Sequence, residues 1–562
     1  MTRRAVYALV FLGVLSGAGS ALHAQVTDQR LIDAAKEPQN WLTYSGSYFS
    51  QRHSTLNQIA PANAKNLEQK WVYQAQVLGN WQATPLVVDG VMYVTQRVND
   101  VVALDAKTGR VFWIYQYTPS PEQKACCGAN NRGVAILGDT LFMGTVDGHL
   151  VAIDTRDGRP RWNIQVADLK AAYSLTLAPL VVKDKVIIGT GGGEYGIRGF
   201  IAAYDARSGK EVWRFYTIPG PGEAGHETWE PCPPNPTTYC DPEAWKHGGG
   251  SIWVTGSYDP ALNLTYWGVG NAGPDWNPSQ RPGDNLYTAS VVALDADTGT
   301  RRWHYQFVPN DRYDFDAVQV PVLADIEWKG VPLKAMLWAN RNGFYYVLDR
   351  ATGKFLLGRP FVKVNWASGF DERGRPLQTP QPPDQPTWPG NQGGTNWYSP
   401  SYSPRTGMFY ISAWENYATI FGGVPVEYQE GRNFGGGASK PHVPVPGAPV
   451  VPVLKRGPIN TWTEAVGSGA VIAIDARTGE PKWKYAMTDV TDSGILTTAS
   501  DVLFTGVREG HFHALNARTG ELLWKTGLGG QIVNGPITYQ VDGKQYVATI
   551  AGHSLVVFAL RD

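Results

Sequence analysis

One short turn recurs along this chain, and it constrains the fold more than any other feature. The first copy is Val102-Ala103-Leu104-Asp105-Ala106-Lys107-Thr108-Gly109, with Trp113 eight residues after the Asp. It returns at Asp154 with Trp162, Asp205 with Trp213, Asp295 with Trp303 and Asp475 with Trp483. Asn516 with Trp524 is a variant, and Asp349 with Leu357 a weaker one. An Asp side chain caps a tight turn and Gly supplies the positive φ that closes it. Each copy therefore reads as strand, turn, strand, with the Trp packing between neighbouring sheets. The short gaps of 49, 51, 54 and 41 residues suit one four-stranded propeller blade per copy. The long gaps, 205 to 295 and 349 to 475, hold insertions around Pro219–Gly250 and Pro425–Asn460. An eighth blade is available from both ends: strands within Gln540–Leu560, and an outer strand Leu67–Tyr73 that carries Trp71. The spacing predicts an all-β chain folded as a single eight-bladed β-propeller over residues 25–562. Closure of the ring removes exposed sheet edges.

Composition agrees with this reading. Charged residues are only 17%, against 63 Gly and 21 Trp, which excludes a coiled coil and argues against disorder. Lys plus Arg and Asp plus Glu both number 49, so no electrostatic footprint for nucleic acid or an anionic membrane exists. Arg3-Arg4, an apolar run from Ala5 to about Leu15 and small residues up to Ala24 read as a signal peptide over residues 1–24. Cleavage after Ala21 or after Ala24 both fit. Nothing later reaches the ~18 apolar residues of a membrane span. The expected product is an exported, periplasmic protein in an oxidising compartment.

A propeller does not state a function; four segments carry chemistry. The first is Cys126-Cys127-Gly128-Ala129-Asn130-Asn131-Arg132. Adjacent cysteines can bridge each other, or can pair separately with Cys232 and Cys240, which themselves bound a compact loop. A bridge between neighbours is strained, because adjacent Cα atoms lie ~3.8 Å apart and disulfides usually span roughly 4.4–6.8 Å. The second is Thr190-Gly191-Gly192-Gly193-Glu194. It lacks the Lys-Ser/Thr of a phosphate loop, but its glycines let backbone approach a flat ligand beside Glu194. The third is Gly268-Val269-Gly270-Asn271, where an amide oxygen can ligate a hard cation. The fourth is Asp311-Arg312-Tyr313-Asp314-Phe315-Asp316. If that segment is extended, Asp314 and Asp316 point to one side, and two like charges held together cost energy unless a cation lies between them or one is protonated.

In this order, the four segments resemble those of the quinoprotein alcohol dehydrogenases, which use pyrroloquinoline quinone (PQQ). The resemblance covers nearly the whole chain after the leader. It implies a vicinal Cys126–Cys127 disulfide on one face of PQQ and Trp253 stacked on the other. It implies PQQ contacts from Arg132, Thr176, Gly192, Gly193, Arg341 and Asn396, with Gln82 standing where many members have Glu. It implies Glu194 and Asn271 as metal ligands, Asp314 as catalytic base and ligand, and Arg341 at the reactive quinone oxygen. A Trp common near a late Gly-Gly-Thr-Leu segment is replaced here by Asp492-Ser493-Gly494-Ile495-Leu496. The Cys-x-x-Cys-His haem pattern is absent from the 562 residues.

The implied reaction is oxidation of a primary or related alcohol to the aldehyde by hydride transfer to metal-bound PQQ, with electrons passed to a separate cytochrome c. Calcium-type members usually carry a small uncharged residue two positions after the catalytic Asp; this chain has Asp316, as lanthanide-dependent members do. Glu194, Asp314 and a PQQ carboxylate supply about three negative charges and Asp316 adds a fourth, which a trivalent ion balances better than a divalent one. A lanthanide ion (La³⁺ or Ce³⁺) is therefore the expected metal, with Ca²⁺ as the alternative. The sequence leaves the alcohol unnamed and a homodimer open. Two rivals are a non-catalytic propeller scaffold, which has no need of Cys126-Cys127, Glu194, Asn271 and Asp314 together, and a same-fold dehydrogenase for a polymeric or cyclic alcohol.

Overall fold

The structure, a computed structural model, describes residues 25–561 apart from 77–80, 97, 237–238, 383, 443–466 and 488. The leader 1–24 and residues 443–460 of the second insertion lie outside the described residues.

Eight antiparallel sheets form the blades of one ring. Blades 1 to 5 span residues 86–115, 135–165, 180–216, 257–306 and 322–360; blade 6 spans 401–486 and blade 7 spans 495–527. Blade 8 is built from both ends, as the sequence predicts. The C-terminal part supplies Ile537–Val541, Lys544–Ala551 and Ser554–Leu560, and the N-terminal part supplies the outer strand Leu67–Gln74. Leu67 pairs with Leu560 and Gln74 with Ser554 across that closure. A further short strand, His53–Ser54, lies parallel to the inner strand of blade 7.

The core sits between blades. Inner strands are covered on both faces, so they read as unbroken apolar runs; Val101–Leu104 and Leu150–Ile153 are fully buried. Outer strands face solvent on one side and alternate, as in Pro160–Gln165.

The repeated turn is the device that docks one blade on the next. Asp105 Oδ1 accepts the backbone N–H groups of Lys107 and Thr108 at 2.9 and 3.0 Å. In blades 1 to 4 and 6 the Trp then lies under the turn of the next blade. Trp113 Nε1 donates to Thr155 O at 3.0 Å, Trp303 Nε1 to Arg350 O at 3.1 Å and Trp483 Nε1 to Ala517 O at 3.0 Å. The turn Gly has to be Gly for a second reason besides its φ of +74°: a Cβ on Gly158 would lie 2.6 Å from the Trp113 ring. Trp71 of blade 8 meets Gly109 of blade 1 in the same way, which closes the ring. In the weaker copy, Leu357 replaces Trp beneath Gly479.

Strand alternation decides where chemistry can gather. In a four-stranded up-and-down sheet, the connection between second and third strands leaves from the same end as the crossing to the next blade. The Asp turns join third and fourth strands, so they occupy the opposite face. Glu194, Asn271 and Arg341 lie on second-to-third connections, whereas Gln82, Cys126, Arg132, Thr176, Trp253, Asp314, Asp316 and Asn396 lie on crossings between blades. All therefore share one face. The described parts of both insertions belong to it: the first follows blade 3, and residues 425–442 of the second lie between the second and third strands of blade 6.

Candidate active site

On that face a cavity of about 1390 Å³ opens, ample for a cofactor together with a small substrate. Of the residues singled out in the sequence, Gln82, Cys126, Cys127, Arg132, Thr176 and Gly192 line it. Glu194, Trp253, Asp314, Asp316, Arg341 and Asn396 complete that group. Gly193 and Asn271 stand just behind the wall: a Cβ on Gly193 would lie 3.9 Å from Asn271 Oδ1.

Carboxylates dominate one corner. Asp316 Oδ1 accepts the backbone N–H of Asn271 at 2.8 Å, and its Oδ2 accepts from Arg341 Nη1 at 2.5 Å. Arg341 Nη2 donates to Asp314 Oδ2 at 3.1 Å and also to the Asn391 carbonyl. The two acids are not equally accessible: the Asp314 side chain is 23% exposed and that of Asp316 8%. Asp314 can thus meet a ligand while Asp316 is held inside. They reach the same guanidinium by a route unlike the extended one expected, since Asp314 has a φ of +58°. A non-Gly residue in this region is a strained, over-determined position of the kind found at functional sites.

Burial pushes the pKa of Asp314 well above the usual carboxylate range; Arg341 opposes this, and the charges of Asp316, Asp275 and Glu194 add to it. Burial likewise raises Asp316 and Glu194. Glu194 is positioned from outside its own blade, because the backbone N–H of Phe434, in the second insertion, donates to its carbonyl at 2.7 Å.

Sequence reasoning missed Asp275. It is 6% exposed, lines the cavity, and accepts from Asn271 Nδ2 at 2.9 Å. Burial drives its pKa far up, and the charge of Glu194 adds to this. The available signal was a carboxylate four residues after Asn271. Trp276 and Asn433 were missed as well; both line the cavity.

The vicinal bridge is not formed in this structure: Cys126 and Cys127 are both free thiols, while Cys232 and Cys240 are joined. Each of Cys126, Cys127 and Glu194 brings a ligand atom within 4.8 Å of the other two. Cys127 has a φ of +62°, so the turn is tight even without a bridge.

The polar wall lies across the cavity. Arg132 sits between two indoles, its guanidinium carbon 4.8 Å from the Trp253 ring centre and 4.9 Å from that of Trp397. Its Nη1 donates to Thr176 Oγ1 at 3.1 Å and to the Trp253 carbonyl at 3.2 Å. Asn396 is engaged by its own loop, donating to Gln392 O at 3.0 Å and accepting from Trp397 N at 2.8 Å. Asp492, in the late Asp492-Ser493-Gly494 stretch, is buried. It pairs with Arg508 at 2.6 Å and accepts from Tyr398 Oη at 2.7 Å and Gln531 Nε2 at 2.9 Å. No described residue of the first insertion lines the cavity; it braces the second through His247, stacked on Tyr428 with ring centres 3.5 Å apart.

These residues fit PQQ and a hard cation. Glu194, Asp314 and Asp316, which line the cavity, and the Asn271 amide behind it offer oxygen donors of the sort hard cations take, though the three carboxylates do not all lie within 4.8 Å of one another. Glu194 and Asp275 have no salt-bridge partner among the described residues. Gln82 Oε1 and Arg341 Nε are buried with no hydrogen-bond partner among the described residues, as polar atoms reserved for a ligand would be.

Comparison with known proteins agrees. The family model "Glucose/ethanol/alcohol dehydrogenase, beta-propeller domain" matches residues 41–378 and 363–547. The chain is 39% identical to the quinohemoprotein alcohol dehydrogenase ADH IIB of Pseudomonas putida, over 95% of this chain and 76% of that protein. It is 38% identical to the 1-butanol dehydrogenase (cytochrome c) of Thauera butanivorans, over 91% of this chain and 74% of that protein. A solved europium-containing methanol dehydrogenase superposes with a TM-score of 0.84 at 33% identity, covering 95% of this chain and all of that one. The ring, the acid-lined cavity and these likenesses together make the chain a member of the PQQ-dependent alcohol dehydrogenase family of oxidoreductases.

Proposed function

We propose that this protein is a periplasmic dehydrogenase that oxidises a small primary or related alcohol to the aldehyde with PQQ and a lanthanide ion, and that a separate cytochrome c takes the electrons. The observation that carries the reading is the inward carboxylate of Asp316, held by Asn271 and Arg341 beside Asp314. Together with Glu194, Asp314 and a PQQ carboxylate it outweighs the single charge of Arg341, which favours a trivalent ion over a divalent one. The europium-containing neighbour supports the choice of metal, and the relative named as cytochrome c-linked supports the acceptor. No helix among the described residues is long and apolar enough to cross a membrane, and the leader supports export.

Glu194, Asn271, Asp314 and Asp316 would hold the ion; Arg132, Thr176, Gln82, the Gly192–Gly193 backbone and Asn396 would hold PQQ between Cys126-Cys127 and Trp253. The bound cofactor supplies the two-electron oxidant, and the ion polarises it. Asp314, the accessible acid with a raised pKa, takes the hydroxyl proton of the alcohol at its carboxylate. Arg341 fixes Asp314 through Oδ2 and directs positive charge toward the reacting oxygen. Trp253 and Trp276 narrow the cavity around the substrate.

The test is metal-free protein supplied with PQQ and either La³⁺ or Ca²⁺, assayed by dye reduction over a panel of primary alcohols. Activity with La³⁺ above that with Ca²⁺ is expected; full activity with Ca²⁺ and none with La³⁺ refutes the metal. A purified c-type cytochrome as acceptor, and N-terminal sequencing of protein from the periplasmic fraction, test the remaining two elements.

A further inference from the structure

Asn271 is gripped from both ends by acids. Its backbone N–H goes to Asp316 Oδ1 at 2.8 Å, and its side-chain Nδ2 goes to Asp275 Oδ1 at 2.9 Å. An amide group has two senses, and in one of them the NH₂ would face the cavity corner. The NH₂ donates to Asp275 Oδ1, which turns the amide oxygen the other way. Asn271 Oδ1 accordingly points to the Gly193–Glu194 turn. Asp275 is itself held still: the backbone just before it is pinned by Arg281, whose Nη2 and Nε donate to Pro274 O at 3.1 and 3.3 Å. Arg281 is fully buried and also donates to Asn285 Oδ1 at 2.9 Å, so this anchor cannot swing.

We propose that Asp275 is a positioning residue for the metal: it locks the Asn271 amide with its oxygen toward the ion and adds a further negative charge behind that ligand, favouring a trivalent cation. This rests on the reading of the corner as a metal site. Asp275 needs no contact with the ion to act, because second-sphere acids orient ligands and raise their donor strength. An apolar residue here would leave the NH₂ only the long contact to Ala272 O at 3.4 Å and let the amide rotate to present NH₂ to a cation.

Two substitutions separate orientation from charge. Asp275→Asn keeps an acceptor oxygen for Asn271 Nδ2 but removes the charge; Asp275→Val removes both. PQQ-loaded, metal-depleted protein is titrated with La³⁺ and Ca²⁺ by calorimetry, and the lifetime of bound Tb³⁺ in H₂O and D₂O counts its coordinated waters. Near-UV circular dichroism confirms that each variant is folded. For Asp275→Val we expect affinity for both ions to fall tenfold or more and Tb³⁺ to gain about one water. For Asp275→Asn we expect Ca²⁺ affinity within about twofold of wild type, unchanged Tb³⁺ hydration, and a larger loss for La³⁺. A folded Asp275→Val variant with wild-type affinities and hydration overturns the assignment, as does an Asn variant that matches Val in every readout. If wild-type protein itself binds neither ion, the metal-site reading fails, and the assignment with it.

Discussion

Asn271 and Asp316 are tied by one hydrogen bond, from the backbone N–H of the first to Oδ1 of the second at 2.8 Å. Asn271 lies within blade 4 and Asp316 on the crossing out of it, so the bond stitches two separate connections of one blade into a single wall. Arg341 of blade 5 completes the stitch from the other side. A carboxylate that looks like a surplus charge in the sequence is thereby a brace for two other site residues.

Replacement of Asp316 should act on both roles. Asp316→Ala should shift the activating ion from La³⁺ toward Ca²⁺, read as the ratio of kcat/KM with each metal. It also strips a partner from the buried Arg341, and breaking a buried pair of this kind costs about 3–5 kcal/mol, so metal-free protein should melt at a lower temperature. An unchanged metal ratio would show that Asp316 does not set the preference.

Asp314→Asn should keep PQQ and metal but lose turnover by roughly 10²–10⁴-fold, the usual contribution of a positioned general base. The amide preserves shape and can still accept from Arg341. Near wild-type turnover with both ligands bound would remove Asp314 as the base.

The two free thiols, Cys126 and Cys127, should be oxidised to a vicinal disulfide in protein taken from an oxidising compartment. Peptide mapping should find them joined to each other and Cys232 joined to Cys240, the pair already bonded at a Cα separation of 5.8 Å. A Cys126–Cys240 peptide would contradict this. Cys126→Ala should damage PQQ-dependent turnover more than the melting temperature, since the pair lines the cavity and supports no core.

Three histidines predict an acid-side dependence of stability. Burial lowers His53, His304 and His513 each to about 4. Between that value and the ordinary 6.5, the unfolded chain carries protons that the folded chain refuses. Their contribution to stability is therefore complete above pH 6.5 and falls as pH drops to 4, by at most about 1.4 kcal/mol per pH unit for each group. Asp311 and Asp489, which burial raises to about 6, act in the opposite sense over the same window. Denaturant midpoints of wild type and His304→Gln between pH 4 and 7 check the sign: the variant should depend less steeply on pH.

The blade joints should be costly to disturb. Trp483 donates to Ala517 O at 3.0 Å and lies beneath Gly520. Trp483→Ala should cost about 3 kcal/mol, the low end of the range for large buried aromatics because Trp483 is half-buried, and thermal unfolding should report it without altering metal preference.

Sequence periodicity alone determined the ring. Asp, Gly and Trp at constant spacing make a turn whose geometry is set within a few residues, and each copy meets only its neighbour, as Trp113 meets the Asp154 turn. Local chemistry of this kind survives reading in one dimension, which is why the blade count and the split eighth blade were legible. The residue types of the site were legible too, because Cys126-Cys127, Glu194, Asn271 and Asp314 stand out against their surroundings and match a family order. What only the tertiary structure decided is how these groups face each other. Asp314 is turned by a left-handed backbone rather than by strand alternation; Asn271 stands behind the wall; Asp275, silent in sequence, grips it; and Asp492 is buried against Arg508. Each depends on connections from different blades meeting over the ring centre, where the position of one side chain is fixed by partners distant along the chain and no local pattern records it.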